Sequence, residues 1–507
     1  MGKIRDLSTT VRSFALEPNE IRVVYSGHEE GRRRLAKIAG VRADRVVGLA
    51  SEVVTTFSHA GTHVDAPWHF GPTSEGRPAK TIDRVPLDWC FGDGVLLDFS
   101  RSKKPGEYIT AADLQEGFDR MGYRLKPMDI VLLRTGAEDY EDDVRFEIMA
   151  SGLDLGALHW LLDRGIKHIA TDAYTLDIPV PRMVEELKKG NLQAFFPTHY
   201  AGREREYIHT EKVSGLRGIP QPFGFKVALF PVKIEGAAGG WTRAAAIEGE
   251  GALTSPPRLL DLSVPLLSPS MEAEEVAVVR GNHEEAARRF CKRRGAALNV
   301  LPSPDFFVND EITCSSHAGT HVDAPWHFGP TVEGRPAKTI DQVPLEWFYG
   351  DGVLLDFSRK KPDDPIAAPD LVKELDRIGY TLKPEDIVLL RTGAEDHFFD
   401  DPHFQDCATG LTGDAFLWLL DQGIRTLGTD AYTLEMSFEA MLRGMRNGDP
   451  AAFFPVHRNA VRKECCQAVK LCNLKEIPHP IGFKVALFPT KLEKGSAGWA
   501  RAVAILL

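Results

Sequence analysis

Between His59 and His69 the chain reads His-Ala-Gly-Thr-His-Val-Asp-Ala-Pro-Trp-His, which puts three imidazoles and one carboxylate within eleven residues. Imidazole and carboxylate together suit Zn2+ or Mn2+. His63 and Asp65 are two apart, so on an extended chain they face the same side. His59 and His63 are four apart, a spacing that also fits the helix of HExxH metal sites. Gly61, Thr62, Val64 and Pro67 disfavour a helix, so the spacing predicts a glycine-containing loop running into a short strand. A lone histidine is more often a hydrogen-bonded or surface residue; it is the clustering that points to metal. A divalent ion lowers the pKa of bound water to about 7 and so supplies a nucleophile near neutral pH. His69, six residues beyond His63, is too far along to be assumed a ligand and fits a proton shuttle.

The elements that must position this cluster occur twice. Ser58–Thr73 recurs unchanged at Ser316–Thr331, Glu75–Asp83 at Glu333–Asp341, and the GDGVLLDFSR, LLRTGAED, TDAYTL and GFKVALFP stretches recur in the same order. A domain of about 250 residues has been duplicated, which is not the roughly 20–50-residue period of a solenoid. The division falls into residues 1–247, a linker at 248–258 rich in Gly, Pro and Ser, and residues 259–507. Within each copy, short runs such as Gly94–Phe99, Asp129–Leu133 and Lys226–Phe230 predict buried strands. Ala157–Ile166 has helical spacing with Gly165 as its stop, and KHIATDAYT continues as a strand. Strand–helix alternation gives α/β.

The pattern HxGTHxDxPxH resembles that of the metal-dependent cyclase family of hydrolases, which includes bacterial kynurenine formamidases and isatin hydrolases. The likeness runs through nearly all of each copy. It implies two tandem swivelling β/α/β-like domains, arranged as an intramolecular pseudo-dimer. By the same resemblance, His59, His63 and Asp65 bind a first metal and His69 is the general acid/base. A second metal takes Asp65, His199 and Glu211, the last standing twelve residues after His199 and bridging both ions. In the second copy His317, His321, Asp323, the acid/base candidate His327, and His457 are kept. Twelve residues after His457 stands Val469, which cannot ligate, and Gln467 replaces His209. Glu464 aligns with Glu206 and is expected to be structural. The expectation is therefore up to two Zn2+ or Mn2+ ions in the first half and fewer or none in the second. The resemblance also implies active sites near subunit interfaces, so the second half is expected to complete the first half's pocket.

Lower in rank, Thr62 is expected to brace the loop. Asp172 and Tyr174 fit a turn or cap, Arg134 an ion pair or a substrate carboxylate, and Trp68 and Phe70 core packing. The 507 residues carry 61 Lys+Arg against 72 Asp+Glu, a net charge of −11, which argues against nucleic acid as the main partner. No apolar run approaches the roughly 18 residues of a membrane span, and the N-terminus lacks a secretory h-region. Seven cysteines without a CxxC pair read as reduced cytosolic thiols, and the Cys465–Cys466 pair is a minor redox candidate. The expectation is a cytoplasmic, arylformamidase-like hydrolase of C–N bonds acting on a small molecule, with further homo-oligomerisation open. The alternatives are a ring-closing or dehydrating cyclase, and a metal-binding scaffold or sensor without turnover.

Overall fold

The structure is a computed structural model that describes residues 2–13, 17, 20–251, 257–268, 276–294, 298, 301–397 and 404–506. Most of the expected linker core, 252–256, lies outside the described residues. The chain forms two compact units. Unit 1 takes Met1–Arg22, Thr55–Pro256 and Val278–Ile312; unit 2 takes Val23–Val54, Pro257–Ala277 and Thr313–Leu507. Sequence repeats and compact units are thus different partitions of the chain. Segment 278–312, written in the second copy, belongs to unit 1 because Cys291, Phe306 and Phe307 bury themselves with Ile178, Met183, Phe195 and Phe196. Segment 23–54 belongs to unit 2, where Ala36 and Val46 pack with Met441, Leu442 and Phe453.

Each unit is built on a nine-stranded mixed sheet. In unit 1 the strands are β1 (Ile4–Asp6), β2 (His63–Asp65), β3 (Phe91–Asp98), β4 (Ile130–Arg134), β5 (His168–Thr171), β6 (Ile208–Glu211), β7 (Phe223–Ala228), β8 (Gly239–Trp241) and β9 (Ala245–Glu248). Their order in the sheet is β1-β9-β7-β3-β4-β5-β6-β2-β8. The run β3-β4-β5-β6 is parallel. Parallel strands need crossovers, and each holds a helix: α2 (Ala111–Met121) between β3 and β4, α3 (Leu155–Leu162) between β4 and β5, and Val180–Lys188 between β5 and β6. The short α1 (Pro67–Phe70) and α4 (Pro197–Ala201) flank the site.

The Leu- and Val-rich runs are strands buried on both faces. Val95, Leu97, Val131, Leu133 and Ile169 pack with Leu114, Phe118, Leu158 and Leu161 of the crossover helices. The alternate residues Leu96, Ile130, Leu132 and Ala170 pack on the other side with Phe225 and Val227. This is the period of two that a strand imposes. Asp154 caps α3 by accepting from Ala157 N at 2.6 Å. The helix stops near Asp163, and Gly165 takes the left-handed turn that follows, at φ 80°.

Unit 2 repeats the plan with β10 (Arg258–Asp261), β11 (His321–Asp323), β12 (Tyr349–Asp356), β13 (Ile387–Arg391), β14 (Thr426–Thr429), β15 (Cys466–Val469), β16 (Phe483–Ala486), β17 (Ala497–Trp499) and β18 (Val503–Leu506). The order β10-β18-β16-β12-β13-β14-β15-β11-β17 matches strand for strand. Its helices include α5 (Pro325–Phe328), α6 (Ala368–Ile378) and α7 (Pro455–Ala460). Among the described residues no helix is long and apolar enough to cross a membrane.

Candidate metal centre

In unit 1 the loop that carries His59 turns through Gly61, at φ 57°, and enters β2. Thr62 braces it, accepting from Thr9 N at 2.8 Å and donating to Lys212 O at 2.6 Å. Strand β2 lies antiparallel between β6 and β8, in a register that sets His63 opposite Glu211 and Asp65 opposite His209. Directly opposed residues on neighbouring strands have side chains roughly 5 Å apart on one face. The register thus brings together four groups that are about 145 residues distant in sequence. His69 arrives on α1, and His199 on α4, which starts after Phe196 in the left-handed region at φ 49°.

Five imidazoles surround Asp65, and each has its Nδ1 engaged. His63 Nδ1 donates to Gly61 O at 2.8 Å and His69 Nδ1 to Val308 O at 2.6 Å. His199 Nδ1 donates to Asp177 at 2.6 Å, His59 Nδ1 to Asn309 Oδ1 at 3.0 Å, and His209 Nδ1 to Tyr207 Oη at 3.2 Å. Holding the proton on Nδ1 leaves the Nε2 lone pairs directed inward, the arrangement usual for metal-bound histidine.

The two carboxylates have two sides. Asp65 Oδ1 faces His59 Nε2 at 3.2 Å and His63 Nε2 at 3.1 Å, and Glu211 Oε2 lies 3.7 Å from His63. Asp65 Oδ2 faces His209 at 2.8 Å and His199 at 3.9 Å, and Glu211 Oε1 lies 3.2 Å from His209 and 3.9 Å from His199. His69 Nε2 stands 3.8 Å from Asp65 Oδ2. Both Asp65 oxygens and the Nε2 atoms of His59, His63 and His209 are buried without a hydrogen-bond partner. Carboxylate oxygens and imidazole nitrogens buried against one another need positive charge between them, a proton or a metal cation, and this donor set fits a divalent metal. Asp65, His199, His209 and Glu211 form one group able to hold a metal, and His59, Asp65 and His69 another.

The electrostatics agree. Burial pushes the Asp65 carboxyl up, and the imidazoles of His69, His59, His209 and His63 more than reverse this, holding it well below the usual range. Burial and the neighbouring His59 hold the His69 imidazole well below its ordinary value, so it is neutral near pH 7. At His209 burial lowers the imidazole, but the facing carboxylates of Asp65 and Glu211 prevail and push it up to about 10.

The structure therefore gathers His59, His63, Asp65, His69, His199 and Glu211 at one place. His209 is the residue that the sequence reading left without a role, although His209-Thr-Glu211 repeats the alternation of His63-Val-Asp65. Of the lesser candidates Phe70 packs against the site, its ring centred 5.7 Å from His69, 5.6 Å from His199 and 5.2 Å from His209. Asp172 accepts from Thr135 N and Oγ1 and from Gly136 N, and Arg134 pairs with Asp98 and Glu138. Phe70 stacks on Tyr207, and Trp68 meets His283 edge-on. Phe196 and Phe307 wall the site, with Phe307 centred 4.7 Å from His199 and 5.6 Å from His69.

Unit 2 keeps part of this arrangement. His321 Nδ1 donates to Gly319 O, His327 Nδ1 to Ala50 O and His457 Nδ1 to Glu435. Val469 stands opposite His321, and Gln467 opposite Asp323. Lys338 pairs with Glu464 as Lys80 does with Glu206, the structural role expected of Glu464. Cys465 and Cys466 are buried free thiols. A third change is a single methyl group. A Cβ at Gly239 would lie 2.8 Å from His59 Nε2. The corresponding residue of β17 is Ala497, opposite Asp323. There the His317 ring is turned over: Nδ1 faces Asp323 at 2.9 Å and Nε2 meets Ser496 Oγ at 2.9 Å. His317, Asp323 and His327 still form a group able to hold a metal.

An isatin hydrolase from Roseibium aggregatum is 26% identical over 217 residues, 40% of this chain and 76% of that protein. A kynurenine formamidase from Salinibacter ruber is 28% identical over 124 residues, 24% of this chain and 51% of that protein. The chain thus spans about half the length of the kynurenine formamidases it matches. The solved structure of isatin hydrolase A from Ralstonia solanacearum aligns at a TM-score of 0.40 with 21% identity, over 49% of this chain and 92% of that one. The model of the cyclase family, described as "Putative cyclase", matches residues 6–178 and 260–436. Those two segments make up more than half of the sequence and carry the same motifs in the same order, so the chain belongs to the cyclase family and holds its domain twice.

Proposed function

We propose that unit 1 hydrolyses the C–N bond of a small-molecule amide, of the aryl formamide or cyclic amide type, with Zn2+ or Mn2+. The observation that carries this reading is the two-sided placement of Asp65 and Glu211, each turning one oxygen to each set of imidazoles. His59, His63 and Asp65 would hold one ion, with Glu211 shared. A divalent cation supplies acidified water and a Lewis acid for a carbonyl. The chain's own part is to fix the ligands through their Nδ1 partners and to keep His69 neutral. With its Nδ1–H held by Val308 O, His69 presents Nε2 to take up a proton and return it to the leaving nitrogen. Phe196 and Phe307 offer apolar faces to an aryl group. In unit 2, Val469, Gln467 and Ala497 favour a centre without amide turnover.

The test is to strip the protein with a chelator, reload Zn2+ or Mn2+, and follow cleavage of an aryl formamide together with the metal content. Stripping abolishes turnover and reloading restores it. His63→Ala loses both metal and turnover. His69→Ala keeps its metal and loses turnover by at least about 100-fold. Retained activity in metal-free protein sinks the reading, and loss of metal in His69→Ala removes the proton-shuttle role.

A further inference from the structure

We propose that His209 is a metal ligand, completing with Asp65, His199 and Glu211 a four-group subsite for a second divalent cation in unit 1. The exchange of His209 for Gln467, beside that of Glu211 for Val469, deletes this subsite from unit 2. The inference rests on the reading of unit 1 as a metal centre, whose second ion the family resemblance already implies, and adds His209 to that ion's ligands.

Three observations carry it. First, His209 Nε2 is the imidazole nitrogen closest to both carboxylates on that side, 2.8 Å from Asp65 Oδ2 and 3.2 Å from Glu211 Oε1, and it has no hydrogen-bond partner. Secondly, its other nitrogen is tied down as in a ligand. The Tyr207 hydroxyl gives its proton to Thr198 O at 2.9 Å, so it accepts from His209 Nδ1 and leaves Nε2 as the nitrogen turned to both carboxylates. Thirdly, the counterpart in unit 2 is unsatisfied. Gln467 is fully buried opposite Asp323, and neither its amide oxygen nor its amide nitrogen has a hydrogen-bond partner. A glutamine that served the fold there would be expected to bond. Gln467 instead occupies a ligand position without being one, in a unit whose matching carboxylate has become valine.

A purely structural His209 would leave the cation count unchanged when replaced. Gln is the substitute of choice because β15 already accommodates it at the same register position. The full chain, stripped with a chelator, is reloaded with Mn2+, desalted, and its bound metal counted by elemental analysis. His209→Gln is expected to hold one equivalent fewer than the parent. The double variant Q467H/V469E is expected to hold one more. A His209→Gln protein with the parent's count overturns the proposal and leaves the amide-hydrolase reading standing. A parent that takes up no metal overturns both. If His209→Gln does not fold, Val469→Glu is compared with Q467H/V469E: an added equivalent in the double variant alone upholds the ligand role of this position, and equal counts overturn it.

Discussion

At the scale of single residues, the two units differ in substitutions too small to notice in an alignment. A Cβ at Gly239 would stand 2.8 Å from His59 Nε2, so a methyl group there needs the ring to move. Gly239→Ala should therefore displace the His59 ring, as in unit 2, and lower the metal content and the turnover of unit 1 together; elemental analysis beside the amide assay checks this. His168 makes the opposite point, that a buried histidine need not be a ligand. It bonds Trp89 O and Thr210 Oγ1, and burial lowers its pKa to about 3 despite the Trp89 bond. The unfolded chain binds its proton near 6.5, the folded one only near 3. This contribution to stability is complete above the unfolded value and is lost as pH falls. From about pH 7.5 to about pH 5.5 the loss is about 1.4 kcal/mol. Thr426 fills the same place in unit 2 and bonds Trp347 O, so His168→Thr should flatten that part of the pH dependence of the urea midpoint. An unchanged slope would show that His168 does not titrate in this way.

At the scale of elements, the strands around the site were legible and their pairing was not. The runs read at 94–99, 129–133 and 226–230 are strands Phe91–Asp98, Ile130–Arg134 and Phe223–Ala228, displaced by no more than three residues at either end. Apolar periodicity fixes such elements locally. That β6 lies against β2 with His209 opposite Asp65 depends on non-local hydrogen bonding, which no periodicity encodes. The caps also differ between units. Thr110 caps α2, accepting from Asp113 N at 3.3 Å, whereas α6 begins after Ala367. Thr110→Ala should lower the unfolding free energy by about 1 kcal/mol, and Ala367→Thr should raise it by up to as much. Denaturant midpoints of the two variants measure both.

At the scale of the whole molecule, the exchanged segments bear on how the chain can be cut. Unit 1 draws Phe307, Val308, Asn309 and Asp310 from the second repeat. His69 and His59 hold their Nδ1 protons against Val308 O and Asn309 Oδ1, and Asp310 accepts from Ala238 N at 2.6 Å. A protein ending at residue 250 lacks these partners and the aromatic wall, and is expected to lose most amide turnover relative to the full chain. Full activity of that fragment would show that the borrowed segment does not serve the site.

From the sequence alone came the duplication, the α/β class, the clustering of His59, His63 and Asp65, and the departure at Val469. All of these rest on short-range spacing or on comparing the two copies. The tertiary structure decided the rest: that His209 joins the cluster, that His317 turns its ring over where Ala497 replaces glycine, and that each unit borrows a segment written in the other repeat. Strand register and the burial of long-range apolar contacts arise between residues far apart in the chain, so these features exist only once it has folded.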